Sequence, residues 1–229
     1  MSAASTVFAG SIPENYDRYL GPLLFEPYAM DLIHRIKNRN IASVLELACG
    51  TGRVTSLLRQ SLSEKTQITA TDLNPEMLQV AQKKVSAKNV TWATVDMQNI
   101  PFPDAHFDLV VCQFGIMFVP DKPKAFSEIH RVLKKGGLFL FNAWDTLENN
   151  PASFMADKVM NSYFRNDPVP FYQVPFSFHD KDIIVRTMAD AGFSNPKIEL
   201  IQKEGVSENA TNAAIGLIEG TPAYGFICD

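Results

Sequence analysis

The sequence predicts an α/β protein with a doubly wound, mostly parallel sheet that is covered by helices on both faces. Two observations predict it. Short β-rich runs alternate five times with stretches of helical periodicity before residue 145. The chain of 229 residues is 46% hydrophobic and contains no internal repeat or Gly/Ser-rich linker, which is typical of one large domain. We therefore predict a single domain over residues 1–229.

The first two strands and their helices follow from local patterns. A buried strand is predicted over 41–48 and ends at the glycine-rich turn 49–52. The next apolar residues have helical spacing, so a helix follows that turn. A second strand is predicted over 67–71. Asn74 and Pro75 then begin a helix, with asparagine as the N-cap and proline at the first helical position.

Three further strands complete the predicted parallel sheet. They are expected over 90–95, 107–112 and 138–142, with a helix over 122–133 between the last two. Beyond Trp144 the pattern loosens. We predict helices over 151–165 and 180–191, a sixth strand over 197–201, and a helix with a broken tail over 207–229.

Composition excludes several classes of protein. A net charge of −4 argues against nucleic-acid binding. No apolar run approaches the ~20 residues that span a bilayer, and the N-terminus lacks the pattern of a secretory signal. Three cysteines without a C-x-x-C pair predict neither a disulfide framework nor a metal site. These features predict a cytoplasmic protein without stable membrane insertion.

The strongest motif lies at the first strand-to-helix turn. Glu46-Leu-Ala-Cys-Gly50-Thr-Gly52 places glycines where a backbone can approach a ligand closely. Asp72 follows the second strand, where nucleotide-binding folds hold a ribose, and Asp96 follows the third. A lone G-x-G is typical of a tight turn, but the two acids favour a nucleoside site.

The missing residues narrow the ligand. Thr55 occupies the third glycine position of a dinucleotide fingerprint, and no G-K-[ST] tripeptide is present. A nicotinamide-dependent oxidoreductase is therefore disfavoured. A ligand in which adenosine is joined to the rest of the molecule by a group other than a pyrophosphate still fits these residues.

Over residues 40–145 the chain resembles the class I S-adenosylmethionine-dependent methyltransferases, in the branch of ubiquinone and menaquinone biosynthesis. Besides the motifs above, Gln113-Phe-Gly115 and Arg131-Val-Leu-Lys-Lys-Gly-Gly137 are similar to family segments, with Lys135 in place of a proline. The resemblance implies a Rossmann-like fold with S-adenosylmethionine as cofactor. It also implies a set of cofactor-binding residues: Glu46, Ala48, Gly50, Gly52, Asp72, Leu73, Met77, Asp96, Met97 and Gln113.

Within this resemblance each motif has an expected task. The first motif wraps the methionine half of the cofactor, Asp72 holds the ribose, and Leu73 abuts the adenine. The Asp96-Met97 pair contacts the adenine amino group, and Gln113 lines the sulfonium and the substrate. We predict an N-terminal helical lid over 1–39, a cofactor-binding core over 40–145, a substrate-side insert over 146–180 and a C-terminal part over 181–229.

The lid and the insert are the expected substrate-selecting regions. Tyr16 and Tyr19 share one face of a predicted helix, so they either close over the cofactor or fill an amphipathic core. Aromatic residues between Phe154 and Phe178 suit a small, aromatic or apolar acceptor, or pack a core of their own. The catalytic residues are not identified by the sequence; Tyr16 and His179 are the candidates, and His179 is the candidate general base.

The predicted activity is methyl transfer to a small molecule by in-line displacement, for which holding two reactants in line contributes ~7–11 kcal/mol. The alternative is a catalytically silent domain that binds the cofactor or a nucleoside as a partner subunit. The family sheet ends with a sixth strand and an antiparallel seventh beside the fifth, and no long β-rich run follows Lys203. Either the chain is truncated or a partner completes the edge, which would allow a homodimer.

Overall fold

A computed structural model describes residues 8–166 and 168–228. Its centre is a five-stranded, entirely parallel sheet with the order β3-β2-β1-β4-β5. The strands are β1 (Ser43–Glu46), β2 (Gln67–Asp72), β3 (Val90–Thr94), β4 (Phe107–Gln113) and β5 (Leu133–Asn142). The predicted parallel sheet is confirmed; β5 begins at Leu133, five residues before the predicted start of that strand.

Helices follow the strands and precede the sheet. They are α1 (Ile12–Asn15), a π-helix (Tyr16–Phe25), α2 (Glu26–Arg35), α3 (Arg53–Ser61), α4 (Pro75–Lys84), α5 (Lys122–Val132), α6 (Pro151–Tyr163), α7 (Lys181–Asp190), α8 (Ala210–Ile218) and α9 (Ala223–Cys228). The helical lid expected before the sheet is therefore present, as α1 and the π-helix.

Alternation along the strands divides the core between the two faces of the sheet. One face packs against α2 and α3 through a cluster that includes Val44, Leu109 and Leu58. The other face packs against α5 and α7 through Phe126 and Ile184, and this cluster continues into the aromatic residues beyond β5. The sheet is thus covered on both sides, as a doubly wound fold requires.

The sixth strand predicted over 197–201 is wrong. This segment forms no strand and runs beside α2, where Arg35 Nη2 donates a hydrogen bond to Glu199 Oε2 at 2.8 Å. Ile198 and Leu200 are exposed. The alternating pattern was real, but a strand also needs a neighbouring backbone to pair with, and no described residue pairs with the outer edge of β5. The tail, expected to be broken after one helix, forms the two helices α8 and α9.

None of the helices in the described part of the chain is both long enough and apolar enough to cross a membrane.

Candidate active site

The predicted site residues meet at the carboxyl edge of the sheet. The strand order reverses between β1 and β4, and α/β sheets bind ligands beside the strand ends at such a point. Four polar side chains, from β2, β1, β4 and β5, project from the same face of the sheet at this edge: Asp72, Glu46, Gln113 and Asn142. We call them the polar row. Gln113 and Asn142 are directly paired across β4 and β5.

The turn after β1 brings its backbone toward the polar row. Ala48, Gly50 and Gly52 all have positive φ angles, of 52°, 54° and 77°. A Cβ atom built on Gly50 would meet only Met77 Cε at 3.9 Å and Tyr16 Cε1 at 4.0 Å, whereas one built on Gly52 would lie 2.9 Å from Ala81 Cβ of α4. Gly50 therefore keeps space open above the turn, and Gly52 allows α4 to approach.

Asp72 is 7% exposed and holds the turn in place. Its Oδ2 accepts a hydrogen bond from the Gly50 amide at 2.8 Å, and its Oδ1 accepts one from the Asn74 amide at 2.8 Å. Burial raises the pKa of Asp72, and these backbone donors partly oppose that effect. The carboxylate is thus a rigid acceptor at the end of β2, beside Leu73, which is 59% exposed and suits contact with an adenine ring.

The residues after β3 lie at the same edge. Asp96 is exposed and accepts a hydrogen bond from the Gln98 amide at 2.9 Å, while Met97 is half-buried. Met77, from α4, is buried near the space above Gly50.

Glu46 is the most deeply buried acid of the polar row, at 2% exposure. Its Oε2 makes no hydrogen bond within the described residues, and Thr55 Oγ1 of α3, close by, is also unpartnered. Burial raises the pKa of Glu46 to about 8; the hydroxyl and amide of Thr55 lower it in part, and the charge of Asp72 raises it further. Burial and the charge of Asp72 therefore both favour the neutral form of Glu46.

Buried polar atoms without a hydrogen-bond partner concentrate at this edge. In the described part of the chain there are five of them: Glu46 Oε2, Arg53 Nε, Thr55 Oγ1, Gln113 Oε1 and Asn142 Oδ1. Buried polar groups are almost always paired, so a cluster of unpaired ones indicates a ligand-binding site. Acceptors dominate the set, and they suit a ligand that carries cations or N–H and O–H donors.

Tyr16 lies over the glycine turn, with its Cε1 close to the space above Gly50, and its role in closing over the cofactor stays a prediction. Its ring stacks on Phe25 with the centroids 5.0 Å apart, and burial raises the pKa of its phenol. Tyr19 does not line the cleft above the turn and instead lies beside Arg18. The segment is a π-helix, in which hydrogen bonds join residues five apart, so the three-residue spacing no longer places both tyrosines on one face.

Asp17 links the π-helix to the glycine turn, to α3 and to α4. Its Oδ1 accepts a hydrogen bond from Thr51 Oγ1 at 2.7 Å, lies 3.4 Å from Arg53 Nη2, and forms an ion pair with Lys84 of α4. Arg53 Nη1 also pairs with Glu26 Oε2 at 2.6 Å. The glycine turn, α3 and α4 are therefore all tied to the first turn of the π-helix.

An aromatic cluster stands beside the ends of β4 and β5. Phe114 and Trp144 stack with centroids 3.8 Å apart, and Phe25 and Tyr28 pack against both rings. Phe176 also packs against Trp144, with the ring centroids 6.2 Å apart. Phe114 has a φ of 51°, a strained conformation for a bulky residue and one that is typical of functional sites.

The insert contributes less to this cluster than its aromatic density suggested. Tyr163 is exposed, and Phe154 lies under Lys158 Nζ at 4.3 Å. His179 is exposed, and its Nδ1 is 2.7 Å from the Phe176 carbonyl oxygen. It does not line the cleft above the glycine turn, and its role as a general base stays a prediction.

Two clefts in the described part of the chain could hold a ligand. The first, of about 330 Å³, is lined by residues of the turn, the lid and the polar row, including Tyr16, Glu46 and Gln113. The second, of about 490 Å³, lies at the opposite edge, where Lys134 Nζ is already paired with Asp108 Oδ1 at 2.7 Å. The smaller cleft is lined by three of the five residues with unpartnered groups, Glu46, Arg53 and Gln113, and is the better candidate.

The residues present fit S-adenosylmethionine. The space kept by Gly50 admits a ligand close to the backbone, Asp72 is placed for ribose hydroxyls, and the unpartnered oxygens of Glu46 and Gln113 suit the cationic methionine half. Sequence reasoning did not single out Asp17 or Asn142, whereas Phe25 and Tyr28 of the aromatic cluster lie within the N-terminal region predicted to select the substrate. Only the proximity of Asp17 to Tyr16 could have drawn attention to it.

Comparisons with known proteins identify the family of this chain. A family model described as a methyltransferase domain matches residues 45–141. The demethylmenaquinone methyltransferase of Staphylococcus epidermidis is 30% identical over 209 residues, covering 83% of this chain and 84% of that protein. The ubiquinone/menaquinone biosynthesis C-methyltransferase of Pseudoalteromonas translucida is 32% identical over 184 residues, covering 70% of this chain and 73% of that protein.

A solved structure extends the likeness to the fold. The phosphoethanolamine N-methyltransferase 2 of Haemonchus contortus, in complex with S-adenosylmethionine, superimposes with a TM-score of 0.63 at 22% identity, covering 82% of this chain and 42% of that one. The chain therefore belongs to the class I S-adenosylmethionine-dependent methyltransferases, in the branch of the ubiquinone and menaquinone C-methyltransferases, and transfers a methyl group to a small-molecule acceptor.

Proposed function

We propose that the acceptor is a hydroxylated aromatic ring of the quinol class and that the methyl group is transferred to a ring carbon. One observation carries the proposal: Phe114 directly follows Gln113 and Trp144 lies two residues after Asn142, so the stacked rings and the unpartnered amide oxygens come from the same two strand ends. A flat ring suits the aromatic surfaces, and its hydroxyl groups suit the amide oxygens. The relatives named above, which act on demethylmenaquinone and on quinone precursors, support the same class.

The proposed role of the chain is to position and polarise. An amide oxygen of Gln113 or Asn142 accepts the hydrogen bond of a ring hydroxyl, which leaves more electron density on the ring carbons. Gln113 Nε2 donates to the Phe25 carbonyl oxygen at 2.8 Å, so its orientation is fixed. When bound, S-adenosylmethionine supplies a methyl group on a positively charged sulfur. The carbon–methyl bond forms as the sulfur–methyl bond breaks, and the ring carbon then loses its proton to solvent.

The proposed cofactor residues divide along the cleft. Asp72 holds the ribose, with Leu73, Met77, Asp96 and Met97 around the adenine. The backbone of Ala48, Gly50 and Gly52 lies along the methionine half, together with Glu46. Tyr16 covers that half and excludes water, which strengthens every electrostatic contact inside the cleft. We assign no role in cofactor binding to Tyr19 or His179.

The test is a product analysis with the purified protein. S-adenosylmethionine carrying a labelled methyl group is incubated with 1,4-dihydroxynaphthalene kept reduced, with a catechol and with an aromatic amine. We expect label in the naphthalene product, attached to ring carbon as judged by proton NMR. Label found only on oxygen or nitrogen would refute the quinol C-methylation proposal while leaving the methyltransferase activity intact.

Asn142→Leu removes the amide and keeps the size. We expect it to raise the KM for the quinol roughly tenfold, as the loss of a hydrogen bond of ~1–1.5 kcal/mol predicts, with an unchanged Kd for S-adenosylmethionine. Asn40→Leu, at an exposed position lining the opposite cleft, is the matched control and should change neither. An unchanged KM in Asn142→Leu would remove Asn142 from the acceptor site.

A further inference from the structure

We propose that Glu46 holds a proton in the cofactor-free protein and releases it to solvent when S-adenosylmethionine binds, so that cofactor binding expels about one proton. The inference concerns the cofactor side of the site and does not depend on the acceptor proposed above. Its starting point is a side chain that is 2% exposed, lines the cleft and has an oxygen without a hydrogen-bond donor in the described part of the chain.

An ionised carboxylate is costly in this position. Taking a charge out of water costs several kcal/mol unless a partner or several hydrogen bonds compensate it. Glu46 Oε2 has neither within the described residues. Asp72, at the end of the adjacent strand, differs because two backbone amides donate to it at 2.8 Å each. Of the two acids, Asp72 is therefore the one built to carry the negative charge.

The surroundings of Glu46 supply no neutralising charge. The titratable and polar groups that face it or share its cleft come from every neighbouring element: Asp72 of β2, Cys49 of the turn, Arg53 and Thr55 of α3, Cys112 and Gln113 of β4, and Tyr16 of the π-helix. The cation in this set is Arg53, and its guanidinium is committed to Glu26 at 2.6 Å and to the Asp17 carbonyl oxygen at 2.8 Å. Burial consequently raises the pKa of Glu46 to about 8.

Cofactor binding should favour the ionised form of Glu46 over the neutral one. The methionine half of S-adenosylmethionine carries an ammonium and a sulfonium, and an opposite charge within ~4–6 Å favours the ionised form of a carboxyl group. No bond other than the O–H bond of Glu46 breaks, and the proton is taken up by the buffer. The bound state then contains an ionised Glu46 paired with a cation, while the free state contains a neutral acid.

Calorimetry in pairs of buffers measures the proton count directly. S-adenosylmethionine is titrated into the protein at pH 7 and pH 9, in buffers that differ in ionisation enthalpy. The release that depends on Glu46, taken as the wild type minus Glu46→Gln, should be ~0.9 proton at pH 7 and ~0.1 at pH 9, from a group that titrates near pH 8. The α-amino group of the cofactor, with a pKa of ~7.7–8.0, contributes to every variant alike.

The variants identify the group. Glu46→Gln should lose the release seen at pH 7, whereas Glu208→Gln, a distant exposed glutamate, should release protons as the wild type does. Wild-type binding at pH 7 without proton release would overturn the proposal, and so would a Glu46→Gln protein that releases as many protons as the wild type. If Glu46→Gln does not fold, infrared difference spectra of the wild type decide: the C=O band of a protonated carboxyl group should disappear on binding, and a band that stays refutes the proposal.

Discussion

Alanine at the two glycines that flank Thr51 should separate cofactor binding from folding. Both positions have left-handed backbones, with φ of 54° at Gly50 and 77° at Gly52. An L-residue in that conformation costs ~1–2 kcal/mol. The surroundings then differ: a Cβ on Gly52 would lie 2.9 Å from Ala81 Cβ and 3.2 Å from Ala81 Cα, whereas a Cβ on Gly50 meets nothing closer than 3.9 Å.

The expected losses of stability follow from this difference. Gly50→Ala should lower the free energy of unfolding by ~1–2 kcal/mol, from the backbone alone. Gly52→Ala should lower it by ~2–5 kcal/mol, because overpacking against α4 adds ~1–3 kcal/mol. Since ~1 kcal/mol shifts the Tm of a chain of this size by ~2–4 °C, thermal unfolding followed by circular dichroism resolves the two variants. Valine is unsuitable at Gly50, because a β-branched residue is strained further at positive φ.

Gly50→Ala should weaken cofactor binding more than Gly52→Ala does, which is the reverse of the order of their stability losses. The new methyl group of Gly50→Ala points into the space between Met77 and Tyr16 that the ligand occupies in our assignment, so the Kd for S-adenosylmethionine should rise at least ~10-fold, or ~1.4 kcal/mol. Gly52→Ala, measured well below its Tm, should bind within a few-fold of the wild type. Wild-type affinity in Gly50→Ala would mean that the cofactor does not lie along this turn, and equal Tm values would refute the packing argument.

Three further outcomes follow from the site. Asp72→Asn keeps an acceptor for the turn but loses the charge, so cofactor affinity measured by calorimetry should fall by ~1–2 kcal/mol; an unchanged Kd would mean that the ribose lies elsewhere. Asp17→Asn should lose its ion pair with Lys84 and loosen the attachment of the π-helix, so the cofactor should dissociate several-fold faster in stopped-flow fluorescence. The cost in stability should be at most ~1 kcal/mol. Asp31→Asn on α2 is the control, and equal dissociation rates in the two variants would refute the role of Asp17. Because burial raises the pKa of Glu46 from its ordinary 4.5 to about 8, the contribution of this group to stability is complete below pH ~4.5 and is lost as the pH rises through 8, by at most ~5 kcal/mol; the difference in denaturant unfolding between the cofactor-free wild type and Glu46→Gln should show this slope, and parallel pH profiles would refute it.

The sheet and the cofactor turn were predictable because their signals are local. A mostly buried strand such as β4 contains a continuous apolar run, Leu109 to Cys112, and the turns between strands carry glycine, proline and asparagine at characteristic positions. The acids at the strand ends could be placed for the same reason: once strands are parallel, their carboxyl ends share one edge.

The lid and the C-terminal third depend on contacts that no local pattern encodes. Asp17 bonds with Thr51 and Lys84, which are 34 and 67 residues away in the chain. Gly21 is required because a side chain there would collide with the guanidinium of Arg53, a constraint visible only after folding. The segment 197–201 has the alternation of a strand, but the ion pair between Glu199 and Arg35 holds it beside α2 instead.

The unpartnered buried atoms of the described residues, together with two residues of strained backbone, Ala48 and Phe114, belong to one site, which links stability to function. A buried polar group without a partner costs ~1–3 kcal/mol, and a bulky residue at positive φ, such as Phe114, costs ~1–3 kcal/mol. These costs fall at the carboxyl edge of the sheet, while the apolar residues in the middle of β1 and β4, such as Val44 and Val110, are fully packed. A site arranged in this way has its acceptors and its turn oriented before any ligand arrives, so little reorganisation is needed when charge shifts during methyl transfer. The same groups gain their hydrogen bonds only on binding, and the cofactor should therefore stabilise the fold most strongly where the free protein is least satisfied.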